Sequence, residues 1–311
     1  MRAPRKLREQ LKSGLHGLFV LGQRFGWDIL PRHFYSAIPE IRELQRSESW
    51  KRPSSMTGVA GADIESQMSF LRGCCLPPLP ERLRRGGIHE HACQENGEPG
   101  YGPVEADFLF CFISTRRPKR IVQVGCGVST AVILLAAKEA EYTPQVICVD
   151  PFPTGYLTRT AENGLIELIP KPAHDVDLKV LTALDAGDLL FIDSTHAMRP
   201  GSEVNRIVLE VLPRLASGSF AHFHDIYFPY DYQSTVLTSL FFAGESTLLH
   251  AFLIDNRRYS IAVSLSMLHH TCPEQMQSLL PNYRPAVMHQ GLHATGEVSG
   301  HFPSATYLSV L

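Results

Sequence analysis

R-I-V-Q-V-G-C-G-V-S-T, residues 120–130, is the stretch that decides the fold. Its first five residues form an apolar run typical of a buried strand, and a helix rich in Ala and Leu is predicted directly after it, over residues 129–140. A strand that turns sharply into a helix needs residues that tolerate positive φ, and Gly125 and Gly127 meet that need. Because a helix N-terminus presents free N–H groups, the turn predicts a site for a ligand with an anionic group.

Short apolar runs alternate with helical stretches from residue 119 onward. Further strands are predicted at 145–149, 165–169, 188–192, 219–223 and 259–264, and helices at 200–215 and 245–254. This alternation predicts βαβ units and an α/β fold, a Rossmann-like doubly wound sheet of mostly parallel strands with helices on both faces. Functional residues are then expected just after the strands, where such sheets bind ligands.

The first hundred residues follow other patterns. Leu7, Leu11, Leu15, Leu18 and Phe25 recur at helical spacing, and a short helix is predicted over 63–71. Residues 73–100 contain Pro, Gly and charge clusters that predict a loop. We therefore predict two domains: residues 1–100 as a basic N-terminal helix with an irregular arm, and residues 101–311 as the ligand-binding domain.

Charge bears on the partners of the protein. The chain of 311 residues has 29 Lys and Arg against 31 Asp and Glu, a net charge of −2, which argues against nucleic acid as the main partner. Residues 1–53 carry 11 Lys or Arg and 5 Asp or Glu, a net of +6, which leaves −8 for the remainder. A basic amphipathic helix can lie on an anionic membrane surface. The alternative, which we favour, is a helix docked on the body of the protein or on a second subunit of a homo-oligomer.

Seven cysteines without a C-x-x-C pair do not form a secreted disulfide framework, so we expect a reducing, cytoplasmic compartment. The longest uncharged stretch, 121–137, is too short for a membrane span, and we expect no signal peptide in the basic N-terminus. A zinc site formed by His89, His91 and Cys93 with the pair at 74–75 is a poor alternative, because no standard zinc spacing is met.

Asp150 ends the second predicted strand in C-V-D-P, where a carboxylate can accept hydrogen bonds from both hydroxyls of a ribose. The alternative is an Asp that caps the next turn. A glycine turn and an acidic residue one βα unit apart together favour an adenosine-type ligand. Thr130 stands where a dinucleotide fingerprint has Gly or Ala, which disfavours a nicotinamide cofactor.

Two further blocks pair an Asp with a His at predicted strand ends. Phe191 to His196 reads F-I-D-S-T-H, and the run from His222 to Ile226 reads H-F-H-D-I. Neighbouring strands lie about 5 Å apart, so the two ends can converge on one small substrate. A histidine there can act as a general base. The pair Asp193 and Asp225 could instead hold a divalent cation through oxygen ligands, although we favour the metal-free version.

Taken together, V-G-C-G-V-S-T, V-D-P, G-D-L-L-F-I-D-S-T-H-A-M-R-P-G-S-E-V-N, L-P-R-L and H-F-H-D-I-Y-F-P-Y-D-Y resemble the class I S-adenosylmethionine-dependent methyltransferases. More narrowly, they are similar to a bacterial branch of methyltransferase-domain proteins. P-R-H-F-Y-S-A-I-P-E, W-K-R-P and G-E-S-T-L-L-H-A-F-L-I-D-N are similar to that branch as well. The resemblance covers most of residues 28–260.

The resemblance implies a seven-stranded sheet with the last strand antiparallel, and S-adenosylmethionine as cofactor. It places the methionine-derived atoms on the glycine turn, the ribose at Asp150 and the adenine near Asp175. Gln123 stands where such enzymes commonly carry an acid, and its amide can still accept a hydrogen bond from the cofactor's amine. The cofactor-binding residues so predicted are Gln123, Gly125, Gly127, Ser129, Asp150 and Asp175.

The function predicted from these residues is methylation of a small-molecule or carbohydrate-like hydroxyl. Methyl transfer from a sulfonium requires donor and acceptor in line and a group that takes the acceptor's proton. The predicted catalytic residues are Asp193, His196, His224 and Asp225. Two alternatives stay open: a catalytically silent cofactor-fold protein that assembles with a partner, and a nicotinamide-dependent oxidoreductase.

Overall fold

The structure is a computed structural model that describes residues 5–36, 38–231, 234–237, 240–285 and 303–311. Ala37 and Tyr232, which belong to stretches quoted above, lie outside the described residues. The chain divides into two compact units, Met1–Arg46 and Ser47–Leu311. This division falls earlier than the one after residue 100 that composition suggests.

The first unit contains the predicted basic helix. This helix, α1, spans Arg5–Arg24, and a second helix, α2, spans Ile41–Arg46. Leu11, Leu15 and Leu18 of α1 are exposed, as are the aromatic side chains that follow it, Phe25 and Trp27. Among the described residues, no helix has the length and apolar content needed to cross a membrane.

The second unit is built on a sheet that has seven strands within the described residues. The strands are β1 (Arg120–Val124), β2 (Gln145–Val149), β3 (Glu167–Ile169), β4 (Leu189–Ile192), β5 (Phe220–Phe223), β6 (Tyr259–Ser264) and β7 (Thr306–Val310). Their order is β3-β2-β1-β4-β5-β7-β6, and β7 is antiparallel to both of its neighbours. The expected Rossmann-like sheet of seven mostly parallel strands with an antiparallel last strand is confirmed.

The strand order reverses at β1, which lies between β2 and β4. In open α/β sheets this reversal opens a crevice at the carboxyl ends of the strands. The register brings the strand ends together there: Val124 of β1 pairs with Ile192 of β4, which pairs with Phe223 of β5. The residues that follow these strands are therefore neighbours in space.

Helices cover both faces of the sheet, as predicted. They are α3 (Ile64–Cys74), α4 (Leu79–Arg84), α5 (Ile88–Asn96), α6 (Pro103–Arg116), α7 (Val128–Glu139), α8 (Gly155–Glu162), α9 (Leu178–Thr182), α10 (Glu203–Arg206), α11 (Glu245–Leu253), α12 (Leu265–Thr271) and α13 (Pro273–Leu279). Side chains of a strand alternate between faces. Ile121 of β1 accordingly packs in one buried cluster with residues of α6 and α7, whereas Val122 packs in another with residues of α11.

The prediction of a loop over residues 73–100 is wrong, because helices α4 and α5 form there. Leu83, Ile88 and Ala92 of these helices are buried. Gly87 and Gly97 flank α5 with φ of 81° and 82°, so the glycines mark the ends of a helix. Pro and Gly clusters thus separate short helices in this region and do not fill a loop.

Other elements also differ from the predictions. The third strand is shorter than 165–169, and the helix predicted over 200–215 starts after Ser202, whose side chain accepts a hydrogen bond from Asn205 N–H. That helix continues as a π turn over Ile207–Val211 and a 3₁₀ turn over Leu212–Arg214. Helix α6 was not predicted, because its buried residues surround the helix axis and leave no amphipathic period.

Candidate active site

The glycine turn between β1 and α7 is held by close packing against the end of β4. Gly125 has φ of +82°, and a Cβ atom at this position would lie 1.7 Å from the backbone oxygen of Asp193. Gly127 has φ of +146°, and a Cβ there would lie 3.2 Å from Oδ1 of Asn96. The turn therefore requires glycine for its backbone angles and, at Gly125, for the approach of another strand.

Polar side chains beneath the turn form a buried network. Gln123 is fully buried; its Nε2 donates to Ser129 Oγ at 3.2 Å, and its Oε1 accepts from Thr130 Oγ1 at 2.8 Å. Thr130 Oγ1 in turn accepts from the N–H of Gly127 at 3.2 Å. The Gln123 amide thus stabilises the turn through its hydrogen bonds to Ser129 and Thr130. Its predicted contact with the cofactor's amine stays a prediction.

Asp150 lies at the end of β2 beside the turn, where it was predicted. Its Oδ2 accepts from the N–H of Cys126 at 3.1 Å, and its Oδ1 accepts from the N–H of Phe152 at 2.8 Å. The carboxylate is only partly buried, so each oxygen keeps a lone pair for a further donor. Asp175 is exposed and ends a 3₁₀ turn over Ala173–Asp175, after β3. Both are predicted cofactor contacts.

The four predicted catalytic residues come together where β4 and β5 end. His196 Nε2 lies 3.4 Å from Asp193 Oδ1 and 3.7 Å from Asp225 Oδ2. His224 Nδ1 lies 3.2 Å from the same Asp193 oxygen and 3.6 Å from Asp225 Oδ1. Both histidines are buried, and the two aspartates are about a quarter exposed at 26% and 29%. We call these four residues the His–Asp cluster.

A buried glutamate, Glu245, contacts the ring nitrogen of His196 that faces away from the two aspartates. Nδ1 of His196 lies 2.7 Å from Oε2 of Glu245, which begins α11 and has no exposed surface. The N–H of Gly244, just before this helix, donates to the backbone oxygen of His196 at 3.2 Å. With Nδ1 engaged by Glu245, the Nε2 nitrogen of His196 is directed toward the two aspartates.

Asp225 is oriented by two hydroxyl groups. Tyr227 Oη donates to Asp225 Oδ1 at 2.9 Å, and Ser304 Oγ donates to the same oxygen at 3.0 Å. Glu105 of α6 accepts from the N–H of Ser304 at 2.8 Å, and its Oε1 lies 3.9 Å from Nε2 of His224. Four carboxylates therefore surround the two imidazoles of the cluster.

The backbone of the cluster is strained. His196 and Asp225 have φ of 55° and 53°, in the left-handed region that residues with a Cβ rarely adopt. Such conformations cost on the order of 1 kcal/mol each and persist where the surroundings impose them. Their occurrence in both loops of the cluster is typical of a functional site.

Burial and mutual charge shift the pKa values of the cluster in opposite directions. Burial acts to lower the pKa of His224, but Asp193 and Asp225 outweigh it and raise the pKa to about 9. Burial also opposes the proton on His196, yet the neighbouring carboxylates of Asp193 and Glu245 raise its pKa well above the ordinary value. The pKa of Asp193 is lowered, because the two histidines overcome the effect of its burial. The carboxylates of the cluster therefore favour the protonated form of both imidazoles.

The donor set of the cluster fits a metal ion. Asp193, His196 and His224 each offer one ligand atom, and these three atoms lie within 4.8 Å of one another. Within the part of the chain that the structure describes, no other group of this kind is found. The zinc site considered at His89 and the residues near it is not formed.

Several residues of the site were not predicted from the sequence. Glu105 lies on the unpredicted helix α6, and no sequence signal indicates it. Glu245 occurs in G-E-S-T-L, where an acid in the first turn of a helix is ordinarily a capping residue. Tyr227 follows Asp225 by two residues, whereas Ser304 reaches Asp225 from a segment far away in the chain. The tertiary structure alone brings Glu105, Glu245 and Ser304 to the cluster.

A cavity of about 590 Å³ lies among α5, α7 and α8. Its lining includes His91, Lys138, Tyr156 and Arg159. None of the predicted site residues lines it. This cavity and the His–Asp cluster are therefore different places in the second unit.

Comparison with known proteins gives a family and one relative. Residues 122–226 match the family model of a methyltransferase domain. A protein of Archaeoglobus fulgidus described as an uncharacterized protein is 31% identical over 174 residues, which are 50% of this chain and 73% of the relative. The matched domain contains the glycine turn, Asp150 and the whole His–Asp cluster.

Solved structures of methyltransferases are similar at low identity. The Podospora anserina methyltransferase PaMTH1 bound to SAH has a TM-score of 0.42 and 14% identity, covering 92% of this chain and 99% of that chain. The plantazolicin methyltransferase BpumL with SAH has a TM-score of 0.38 and 11% identity, covering 79% and 95%. Coclaurine N-methyltransferase bound to N-methylheliamine and SAH has a TM-score of 0.34 and 13% identity, covering 97% and 95%.

Proposed function

Because this chain belongs to the class I S-adenosylmethionine-dependent methyltransferases, we propose that it methylates a hydroxyl oxygen of a small-molecule or carbohydrate-like acceptor. The observation that carries the proposal is the His–Asp cluster beside the glycine turn. Gly125 approaches the Asp193 backbone so closely that no Cβ would fit, and Asp193 N–H donates to the Val124 oxygen at 2.8 Å. A methyl donor on the turn and an acceptor at the cluster would be neighbours.

The candidate bases in the His–Asp cluster favour oxygen over nitrogen as the methylated atom, because a hydroxyl acceptor has to lose a proton. A hydroxyl is a weak nucleophile until its proton is taken, whereas an amine needs less help from a base. In our proposal His196 or His224 takes this proton, and Asp193 and Asp225 orient the imidazoles. Because the neighbouring carboxylates raise the pKa of both imidazoles, a histidine base must lose its own proton before it takes that of the acceptor.

S-adenosylmethionine is the donor that the family uses, and the residues of the turn fit it. Asp150 has lone pairs for the ribose hydroxyls, and α7 begins just after Gly127 with N–H groups suited to the carboxylate of the methionine moiety. We test this with thermal unfolding of the full chain in the presence of S-adenosylmethionine, S-adenosylhomocysteine or NAD. A ligand that binds only the folded state raises the melting temperature.

The expected result is stabilisation by the two adenosyl ligands and none by NAD. A melting temperature raised by NAD alone would favour the oxidoreductase alternative. A melting temperature that none of the three ligands raises would favour a catalytically silent assembly partner. Either outcome refutes the proposed methyltransferase activity.

The atom that accepts the methyl group is tested with S-adenosylmethionine carrying a ¹³C methyl group and a pool of small hydroxylated and amino compounds. Carbon NMR separates methyl groups on oxygen from those on nitrogen. We expect label on oxygen, and His196→Ala or His224→Ala should lower its formation by about 10²–10⁴. His91→Ala removes an exposed histidine of α5 and serves as the matched control. Label on nitrogen would refute the O-methylation part of the proposal.

We further propose that α1 binds an anionic membrane surface. Leu11, Leu15, Leu18 and Leu21 lie at helical spacing and are 57%, 43%, 45% and 50% exposed, while α1 carries five Lys or Arg and one Glu. A basic helix with an exposed apolar stripe fits an anionic lipid surface. A second copy of α1 fits less well, because it would bring like charges together.

Sedimentation of the full chain with vesicles tests this. We expect binding to phosphatidylglycerol-containing vesicles, little to phosphatidylcholine alone, and loss of binding in Leu15→Glu. Leu209→Glu, at an apolar residue that is 66% exposed in the other unit, is the control. A stable dimer that Leu15→Glu dissociates, without vesicle binding, would contradict the membrane proposal.

The seven free cysteines support our remaining proposal, that the protein acts in the reducing cytoplasm.

A further inference from the structure

We propose that Asp193, His196 and His224 bind one divalent transition-metal ion where β4 and β5 end. The proposal deepens the proposed function, on which it rests only for the role of the ion in methyl transfer. Its basis is the spacing of the three side chains. Asp193 Oδ1 lies 3.4 Å from His196 Nε2 and 3.2 Å from His224 Nδ1. Ligands held about 2.0–2.2 Å from an ion lie about 3.0–3.5 Å from one another in a tetrahedral or octahedral shell.

The two nitrogens of His196 differ in a way that favours an ion over a simple hydrogen-bond network. Nδ1 is 2.7 Å from Glu245, a normal hydrogen bond. The nearest carboxylate oxygens to Nε2, on Asp193 and Asp225, are 3.4 and 3.7 Å away. These distances exceed the 2.7–3.2 Å typical of an N–H···O bond. They match the separation of two ligands that share an ion.

Glu245 supplies the support that metal-binding histidines ordinarily have. A histidine ligand commonly donates its other ring N–H to a carboxylate, which fixes the tautomer and the orientation of the ring. Glu245 makes this contact to Nδ1 of His196 and is fully buried. Asp225, held through Oδ1 by Tyr227 and Ser304, has its Oδ2 3.7 Å from His196 Nε2 and so lies next to the proposed ligand set.

The formal charges of the surroundings also call for a cation. Asp193, Asp225, Glu105 and Glu245 bring four carboxylates against two imidazoles, and all six groups are buried or half-buried. The acidic side chains therefore outnumber the imidazoles by two. Buried charge without a counterion is costly, and a divalent ion would offset the excess.

The donor atoms indicate the kind of metal. Mg²⁺ and Ca²⁺ prefer oxygen ligands, whereas imidazole suits Zn²⁺, Co²⁺, Fe²⁺ and Ni²⁺. Two imidazoles with one carboxylate therefore select a transition metal. When bound, such an ion can polarise an acceptor oxygen as a Lewis acid. With both histidines occupied as ligands, Asp225, outside the three-residue set, rather than a histidine would take the acceptor's proton when the ion is bound.

The test measures metal binding directly, without cofactor or acceptor. The full chain, free of any histidine tag and stripped with EDTA, is titrated with Co²⁺ while its visible d–d absorption is recorded. Calorimetry with Co²⁺ and Mg²⁺ follows under the same conditions. We expect one Co²⁺ per chain and binding at least tenfold tighter than that of Mg²⁺.

Variants assign the ligands. His196→Gln, His224→Gln and Asp193→Asn should each abolish the Co²⁺ absorption, while Glu245→Gln should weaken binding by about 10–100-fold because it removes only the support of a ligand. His91→Ala is the control and should bind Co²⁺ as the unmodified chain does. If a variant fails to fold, the preference for Co²⁺ over Mg²⁺ and the stoichiometry of the unmodified chain still decide the proposal.

Two results would overturn the inference: no saturable binding of Co²⁺ by the folded chain, or unchanged binding in folded His196→Gln and His224→Gln. Failure of the proposed function looks different. It appears as absence of S-adenosylhomocysteine binding or of methyl transfer to oxygen, whatever the metal titration shows. A chain that methylates oxygen after EDTA treatment but binds no Co²⁺ would refute the metal site alone.

Discussion

Replacing Gly125 by Ala should separate the ends of β1 and β4 and so damage the fold and the site together. The new Cβ would lie 1.7 Å from the Asp193 backbone oxygen, whereas real contacts of this kind are not shorter than 3.0 Å. The backbone must therefore move by more than 1 Å, which stretches the bond from Asp193 N–H to the oxygen of Val124, now 2.8 Å.

The magnitude has three parts. A side chain at φ of +82° costs about 1–2 kcal/mol. Forcing an atom into a packed site costs about 1–3 kcal/mol, and loss of the Asp193 hydrogen bond adds about 1 kcal/mol. We expect a loss of about 3–6 kcal/mol in the free energy of unfolding. At about 2–4 °C for each kcal/mol, the melting temperature should fall by about 6–24 °C.

Gly164→Ala is the matched control, because Gly164 also has a positive φ, +72°, but no atom lies within 4 Å of the place its Cβ would occupy. It should cost only the conformational part, about 1–2 kcal/mol. Urea unfolding of both variants, with calorimetric titration of S-adenosylhomocysteine, measures the difference. Equal stability of the two variants, with cofactor affinity unchanged in Gly125→Ala, would refute the close approach as the reason for glycine at this turn.

Three further predictions concern the cofactor side and the core. Asp150→Ala should weaken S-adenosylhomocysteine binding by about one to two decades in calorimetry, since charge-assisted hydrogen bonds contribute about 1.5–3 kcal/mol; unchanged affinity would remove Asp150 from the site. Gly127→Val should abolish cofactor binding, because its Cβ would meet Asn96 at 3.2 Å at a φ of +146°; retained affinity would limit the turn to a structural role. Burial raises the pKa of Asp107 from 3.8 to about 7, so the protonated carboxyl favours the folded state and stability is lost as pH rises from about 4 to 7. Asp107→Asn should therefore be more stable than the unmodified chain at pH 8, by up to about 4 kcal/mol, and equal to it near pH 4; urea unfolding with the same pH trend in both proteins would contradict this.

Strand and turn positions in the second unit could be read from local pattern. The strands Arg120–Val124 and Gln145–Val149 were predicted to the residue, because buried parallel strands are continuous apolar runs bounded by polar or glycine residues. Tyr259–Ser264, which is antiparallel to β7, was predicted to the residue as well. Asp193 and His224 were placed correctly at strand ends for the same reason. The alternation of short strands with helices then specifies a parallel sheet, since parallel strands require crossover connections.

The local sequence pattern predicted secondary structure less well in two situations. One is a helix that is buried on all sides, and the other is a series of short helices that follow one another. Helix α6 is buried on all sides by the sheet and by α7, so it has no polar face to reveal its period. Helices α4 and α5 lie in a region whose glycines and prolines are as typical of a loop as of helix ends. In both cases the packing partners, which the local sequence does not specify, decide the structure.

The amino-acid sequence alone identified the α/β fold, the glycine turn, Asp150 and the two Asp–His blocks, because each depends on residues close together in the chain. Only the tertiary structure brought Glu245 to Nδ1 of His196 and Ser304 to Asp225. It alone brought His196 and His224 to the same oxygen of Asp193, which turned two separate strand ends into one candidate metal centre. The physical reason is that such contacts depend on strand register and on helices that enter from distant segments, and local sequence periodicity carries no information about either.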